Sequence, residues 1–266
     1  MMIRYALGAA LTLLVAAPAQ AADRDYCPTR PGLGTTPCTI SPGRVSVETA
    51  LTDWTLDNQP DQRADTVLIG DTLARLGLTD GLEAQFGWTP YGHVRTRDKT
   101  TGMVDSTGRV GDVKLALKAN LLNPDGKTLS IAVQPFVTLP VGRAPVGAGD
   151  WGGGVVVPVT YDLNDTLNLA ATSEIDAAVN QSGQGRHLAY SEVLGLGIKL
   201  SKQLTGTLEA QVLRDEDPAD TTTQALASAS LALMANDDLQ FDVGGVAGLN
   251  RDASDVELYV GISRRF

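Results

Sequence analysis

The stretch "DVELYVGISRRF", Asp255 to Phe266, decides the fold. Val256, Leu258, Val260 and Ile262 alternate with Glu257, Tyr259, Gly261 and Ser263, and an aromatic, Phe266, closes it. Successive side chains of a strand point to opposite faces, so this pattern gives one apolar and one polar face. The question it raises is which of the two faces water.

Working outward, the same alternation recurs from Val45 onward in about a dozen segments, with no convincing amphipathic helix among them. "LEAQFGWTP" sets Leu82, Ala84, Phe86 and Trp88 opposite Glu83, Gln85 and Gly87. "DVKLALKANL" sets Val113, Leu115, Leu117, Ala119 and Leu121 against Asp112, Lys114, Lys118 and Asn120. One segment, "DTVLIGDTLARL", is ambiguous in phase. Short links ("LGLTDG", "NPDGK", "DLND", "SKQL", "ANDD") carry the Asn, Asp and Gly that tight turns need. Longer links alternate with them, among them "TPYGHVRTRDKTTGMVDSTGR" and "PVGRAPVGAGDWGGG". A sandwich has no reason to keep that order. An antiparallel β-barrel of the bacterial outer membrane does, with short periplasmic turns and longer outer loops.

The other end of the chain agrees. "MMIRYALGAALTLLVAAPAQA" joins Arg4 to an apolar run and a small-x-small site at Ala19-Gln20-Ala21, which reads as a signal peptide over residues 1–21. Arg4 is its only charged residue, so the rest of the chain carries 20 basic and 31 acidic residues, a net −11. That balance excludes a nucleic-acid partner, which needs a basic surface. Residues 22–43 are rich in Pro and Gly and hold the only two cysteines, Cys27 and Cys38. An even pair in an exported chain is most simply a disulfide, closing a loop outside the strand ladder. Residues 44–266 form the barrel.

The fold expected is therefore all-β, a transmembrane barrel of about twelve strands with its apolar face on lipid and its polar face inward. An even count puts both termini at the periplasmic rim. The closing strand resembles the C-terminal signature of outer-membrane barrels read by the barrel assembly machinery, with Val256, Leu258, Val260, Ile262 and Phe266 on one face. Arg264 departs from that pattern and is expected to snorkel toward headgroups. The whole chain resembles an outer-membrane channel/transporter family associated with the meta-cleavage pathway of phenol degradation. The resemblance lies in "TRPGLG", "SPGRVSVETALTDWT", "GDVKLALKANLL", "AVQPFVTLPVG" and "GISRRF". It implies a barrel of twelve-stranded type that carries hydrophobic or aromatic compounds.

Lumen-lining candidates on this phase are Glu48, Glu83, Gln85, Asp112, Lys114, Lys118, Gln134, Glu174, Asp176, Lys199, Glu209, Gln211, Asp242, Glu257 and Tyr259. Acids outnumber bases in the set, which suits cations or neutral solutes better than a hydrocarbon. Enzyme chemistry finds little support. His93 and His187 fall in expected outer loops, and Ser191 and Glu192 near His187 invite a triad that sequence neighbours rarely build. No G-x-S-x-G is present, and "GAGDWGGG" lacks the lysine of a phosphate loop. No cofactor or metal is expected. The function expected is passive uptake of a small-molecule solute across outer-membrane lipid. A non-transporting structural or adhesion-type barrel and a membrane-embedded hydrolase are the alternatives.

Overall fold

A computed structural model describes residues 23–266. The leader read over residues 1–21 and the first residue of the Pro/Gly-rich segment lie outside them. The chain forms strands β1 (Val45–Asn58), β2 (Gln62–Ile69), β3 (Asp71–Thr79), β4 (Leu82–Trp88) and β5 (Tyr91–Asp98). There follow β6 (Val104–Arg109), β7 (Val113–Leu122), β8 (Leu129–Leu139), β9 (Gly152–Asp162) and β10 (Leu167–Val179). The last five are β11 (Arg186–Lys199), β12 (Leu204–Glu216), β13 (Thr221–Asn236), β14 (Leu239–Gly248) and β15 (Val256–Arg265). No helix occurs among the described residues.

All pairings are antiparallel, and β15 pairs with β1 to close the sheet. The barrel is twelve-stranded, because β2 runs on into β3, β4 into β5 and β6 into β7 as single passes. Closure leaves no open edge within the ring, as spanning a membrane requires. Phe266 and Val45 exchange both backbone hydrogen bonds at the short-turn rim, 2.7 and 3.3 Å. There Arg264 lies over the Phe266 ring, 5.0 Å from its centroid.

The face question is settled by exposure. Leu51, Phe86, Leu115, Leu117, Leu194, Leu208, Val243, Leu258 and Val260 point outward and stand exposed. Glu48, Arg75, Glu83 and Lys118 are fully buried inside. A soluble domain arranged this way would expose its oil and bury its charge, whereas in a bilayer the belt meets lipid. Outward aromatics bracket the belt. Tyr161, Phe241 and Phe266 stand toward the short turns, and Tyr91, Trp151 and Tyr190 toward the long hairpins. Such girdles mark the two interfaces.

Much of what reads as outer loop in the sequence is strand. The hairpin joining β1 to β2 turns only at residues 59–61, and β5 and β6 occupy most of the long link after Trp88. His93 therefore lies in β5 and His187 in β11. Segments such as "VDSTGR" are polar on both faces, so period two leaves no trace in them.

A row of irregularities crosses four neighbouring passes at one height. β1 shifts register between Ala50 and Thr52. Gly70, at φ +73°, separates β2 from β3. Residues 89–90 and 110–112 interrupt the next two passes. Beyond this row β1, β2, β5 and β6 continue as a flap rising past the barrel mouth, with β6 its free edge. Bulges of this kind bend a sheet and re-aim its side chains. The link 140–151 folds in beneath the flap. Asp112 accepts from the Gly142 and Ala148 amides, 2.8 and 2.7 Å, and Val146 packs against Gly92, where a Cβ would lie 2.6 Å from it.

Candidate functional site: the lumen and the segment seated in it

Residues 23–44 run inside the barrel, in its short-turn half. A coil without a ladder must find other partners for its amides. Here the wall supplies them, largely as carboxylates. Glu48 accepts from the Thr29 and Arg30 amides at 2.7 and 3.1 Å. Glu83 accepts from Ile40 at 3.0 Å. Glu209 takes Leu33 and Gly34 at 2.8 and 3.0 Å and is itself held by the Ser228 hydroxyl at 2.7 Å. Amide-to-carboxylate bonds are charge-assisted and stronger than neutral ones.

The side chains of the wall complete the seat. Lys118 donates to the Thr36 carbonyl at 2.7 Å, Asn120 to Pro37 at 2.9 Å and Gln240 to Arg30 at 2.8 Å. In the other direction Arg30 reaches Asp242 at 2.9 Å. Its guanidinium lies flat on β15 because residue 261 is glycine: a Cβ there would sit 2.5 Å from Nε. Cys27 and Cys38 are bonded to each other across a separation of 11 residues. The loop they close lies against the wall, where Arg75 donates to both the Cys27 and Cys38 carbonyls, 2.9 and 3.2 Å.

Arg75 is the centre of the buried charge. It forks onto Glu83 (2.9 Å twice) and reaches Glu48 at 2.8 Å. Lys118 stands 3.5 Å from Glu83, and Gln85 also donates to Glu83, at 2.6 Å. Two carboxylates and two cations thus balance in a site closed to solvent, the condition under which buried charge is tolerated.

The remaining candidates stand elsewhere. Lys114 lies over the Phe136 ring, 3.7 Å from its centroid. Glu174 and Asp176 share one inward face of β10, and Glu257 faces inward on β15 across from Thr55. Gln134 is buried on β8, Gln211 faces inward on β12 and Lys199 is exposed near the short-turn rim. Tyr259 folds its ring over Gly244, whose missing Cβ makes the room. His187 sits near the long-hairpin rim, with Nε2 2.8 Å from Asp215 and Nδ1 3.0 Å from the Asn180 side-chain oxygen. Ser191 faces inward, whereas Glu192 points outward and accepts from Ser173. The three residues of the imagined triad do not meet.

Sequence phase alone missed Arg75, Arg30, Arg265, Asp53 and Phe136. Arg75 sits in the segment of ambiguous phase, and Gly70 is the cause. Ala64, Thr66 and Leu68 face inward before it, and Asp71, Leu73 and Arg75 after it, so the alternation slips by one.

The seated segment does not fill the lumen. A cavity of about 360 Å³ remains between Pro28–Thr36 and the wall of β9 to β14, lined by Thr160, Asn168, Thr205 and Thr207 among others. A second, about 600 Å³, opens at the short-turn rim, and the two share Lys199 and Met234.

Solved structures share this architecture. The chain aligns with the KdgM porin at TM-score 0.50 and 10% identity, over 83% of this chain and 99% of that one. The KdgM porin in complex with disordered oligogalacturonate aligns at 0.51 and 9%, over 84% and 99%. The transport unit of the autotransporter AIDA-I from Escherichia coli aligns at 0.51 and 8%, over 84% and 90%. Likeness at such identities is one of fold. No curated protein matches the chain. The match that covers the sequence itself spans residues 29–266, from the seated segment to the closing strand: the chain belongs to the family described as "Putative MetA-pathway of phenol degradation".

Proposed function

We propose that the barrel is a passive outer-membrane channel for small solutes. The observation that carries this reading is the pair of neighbouring cavities beside the seated segment, one in the polar lumen and one at the short-turn rim. Their threonine and asparagine lining offers hydrogen bonds to a small solute. The family description names phenol degradation, which supports phenolic compounds as the solute class. A single hydroxylated ring is small enough for the cavity and has a polar group for the threonines. Phe136 and Lys114 above it present an aromatic face and a cation. Export of the chain by its leader and recognition of the closing strand by the assembly machinery belong to the same proposal.

A non-transporting barrel is the second reading, favoured by the density of bonds that seat residues 23–44. Two measurements separate them: single-channel conductance in planar bilayers, and liposome swelling with sugars, amino acids and aromatic acids. Conductance steps together with faster swelling in aromatic acids support the channel. A silent bilayer and no swelling in any solute would end that reading.

A further inference from the structure

The flap beyond the bulge row has an outer face continuous with the lipid-facing belt, and its rows can be read from the register. Trp54, Val67 and His93 form one row, outward like their neighbour Leu258. The next row up is Leu56, Asp65 and Arg95, and the next Asn58, Arg63 and Arg97. At roughly 3.3 Å per residue and a tilt of about 40°, these rows stand about 5 and 10 Å above Trp54. Trp54 and the exposed Tyr91 lie at the level of the upper girdle. The two arginine-bearing rows therefore fall in the headgroup layer of the outer leaflet.

Their charges are poorly matched within the protein. Arg63 and Arg97 are direct cross-strand partners, and like charges so placed repel. Asp65 is committed to Arg63 through both oxygens, 2.9 Å each. Among the described residues no carboxylate lies within 4.0 Å of the Arg95 or Arg97 guanidinium, and both side chains are exposed. This cationic cluster sits on a chain of net charge −10.

We infer that Arg95 and Arg97, with Arg63 beside them, bind the phosphate groups of an outer-leaflet glycolipid, lipid A in chemical class. The guanidinium fork matches phosphate geometry, and a third cation adjacent to the pair adds to the field. An anion seated between Arg63 and Arg97 turns their repulsion into a shared attraction. The acyl chains of the same lipid would lie on the belt below, along Ile69, Leu258 and Val260. The site faces away from the lumen and is independent of what the lumen conducts.

The test uses the full barrel in detergent with diphosphorylated lipid A as probe, and the same lipid stripped of phosphates as the comparison. Wild type should bind the phosphorylated form the tighter of the two, with affinity falling as salt rises. R95Q/R97Q should bind it about thirty-fold more weakly, the loss of two cations at a charged surface. R95K/R97K, which keeps charge and loses the fork, should fall between. Heat-shifted gel mobility checks folding, and the lysine variant carries the comparison if the glutamine variant misfolds. Equal binding of both lipids, or unchanged binding by both variants, overturns the inference. So does displacement of lipid A by inorganic phosphate at equal concentration, which would mark a site for the free ion.

Discussion

Replacing Arg75 by glutamine tests whether residues 23–44 are seated as described. Arg75 is fully buried and donates five hydrogen bonds, three to Glu48 and Glu83 and two to the Cys27 and Cys38 carbonyls. Without it two carboxylates share one cation, Lys118, whose nearest approach to Glu83 is 3.5 Å. Removing one side of a buried ion pair typically costs about 3–5 kcal/mol, because the partner charge is left uncompensated. R75Q should fall in that range, read from urea midpoints of the vesicle-folded barrel. E83Q alone should also destabilise. The double variant should be less harmed than the sum of the two, with a coupling of about 1.5 kcal/mol or more, since neither partner is then stranded. R75Q should also raise conductance, because the segment loses its two bonds beside the disulfide. Additive effects, or a loss below about 1 kcal/mol for R75Q, would show that these groups are solvated and that the segment is not seated.

Four further outcomes follow from the same geometry. C27S/C38S opens a loop of separation 11, worth about 3 kcal/mol on chain-entropy grounds; it should raise conductance variance, and identical single-channel records would argue against a seated loop. Leu117 points at lipid near mid-strand, so L117R should cost about 2–4 kcal/mol by urea titration in vesicles. Cysteines at 114 should react with water-soluble thiol reagents and those at 115 and 117 should not, in a background free of other cysteines. A cysteine at 118 should be slow, because the segment covers that position at Thr36. Asp25 titrates below its ordinary 3.8 because Lys127 donates to it and attracts it. Its contribution is therefore present above that ordinary value and is lost only as pH falls through the lower, folded one. Both side chains are mostly exposed, so K127M should change stability at pH 7 by less than about 0.5 kcal/mol.

The barrel itself was legible because lipid imposes a rule that the alternation follows over most of β7, β8 and β12 to β15, with Phe136 and Val246 inward and Arg264 outward as departures. The seated segment was not. Coil carries no period, and nothing in "CPTRPGLGTTPC" says which side of a wall it lies on. The signal that could have found it is the excess of inward carboxylates, which need donors, beside a stretch whose amides need acceptors; read alone, that excess suggests charge selectivity instead. The flap was hidden for a different reason. Its upper rows and β6 are polar on both faces, and the bulge row shifts phase in each pass that feeds it, so a period-two template fails across the join. A loop read as lying outside the ladder says nothing of its position, and position is what makes the disulfide matter.

The acidic wall acquires a different meaning once its partners are known. Of the inward acids, Glu48, Glu83 and Glu209 are taken by backbone amides of the seated segment, and Asp242 by Arg30. Asp112 is taken by the amides of the link beneath the flap. An acid so engaged presents little free charge to a passing solute, because its lone pairs already point at fixed donors. Among those left facing the upper lumen are Glu174, Asp176, Glu257 and Asp53, with Lys114 and Phe136 opposite in character. On the proposed channel function, charge selectivity is then set in the outer half of the barrel, before a solute reaches the segment. Reversing charge at Lys114 should shift ion selectivity, whereas reversing it at Lys118 should first unseat the chain inside.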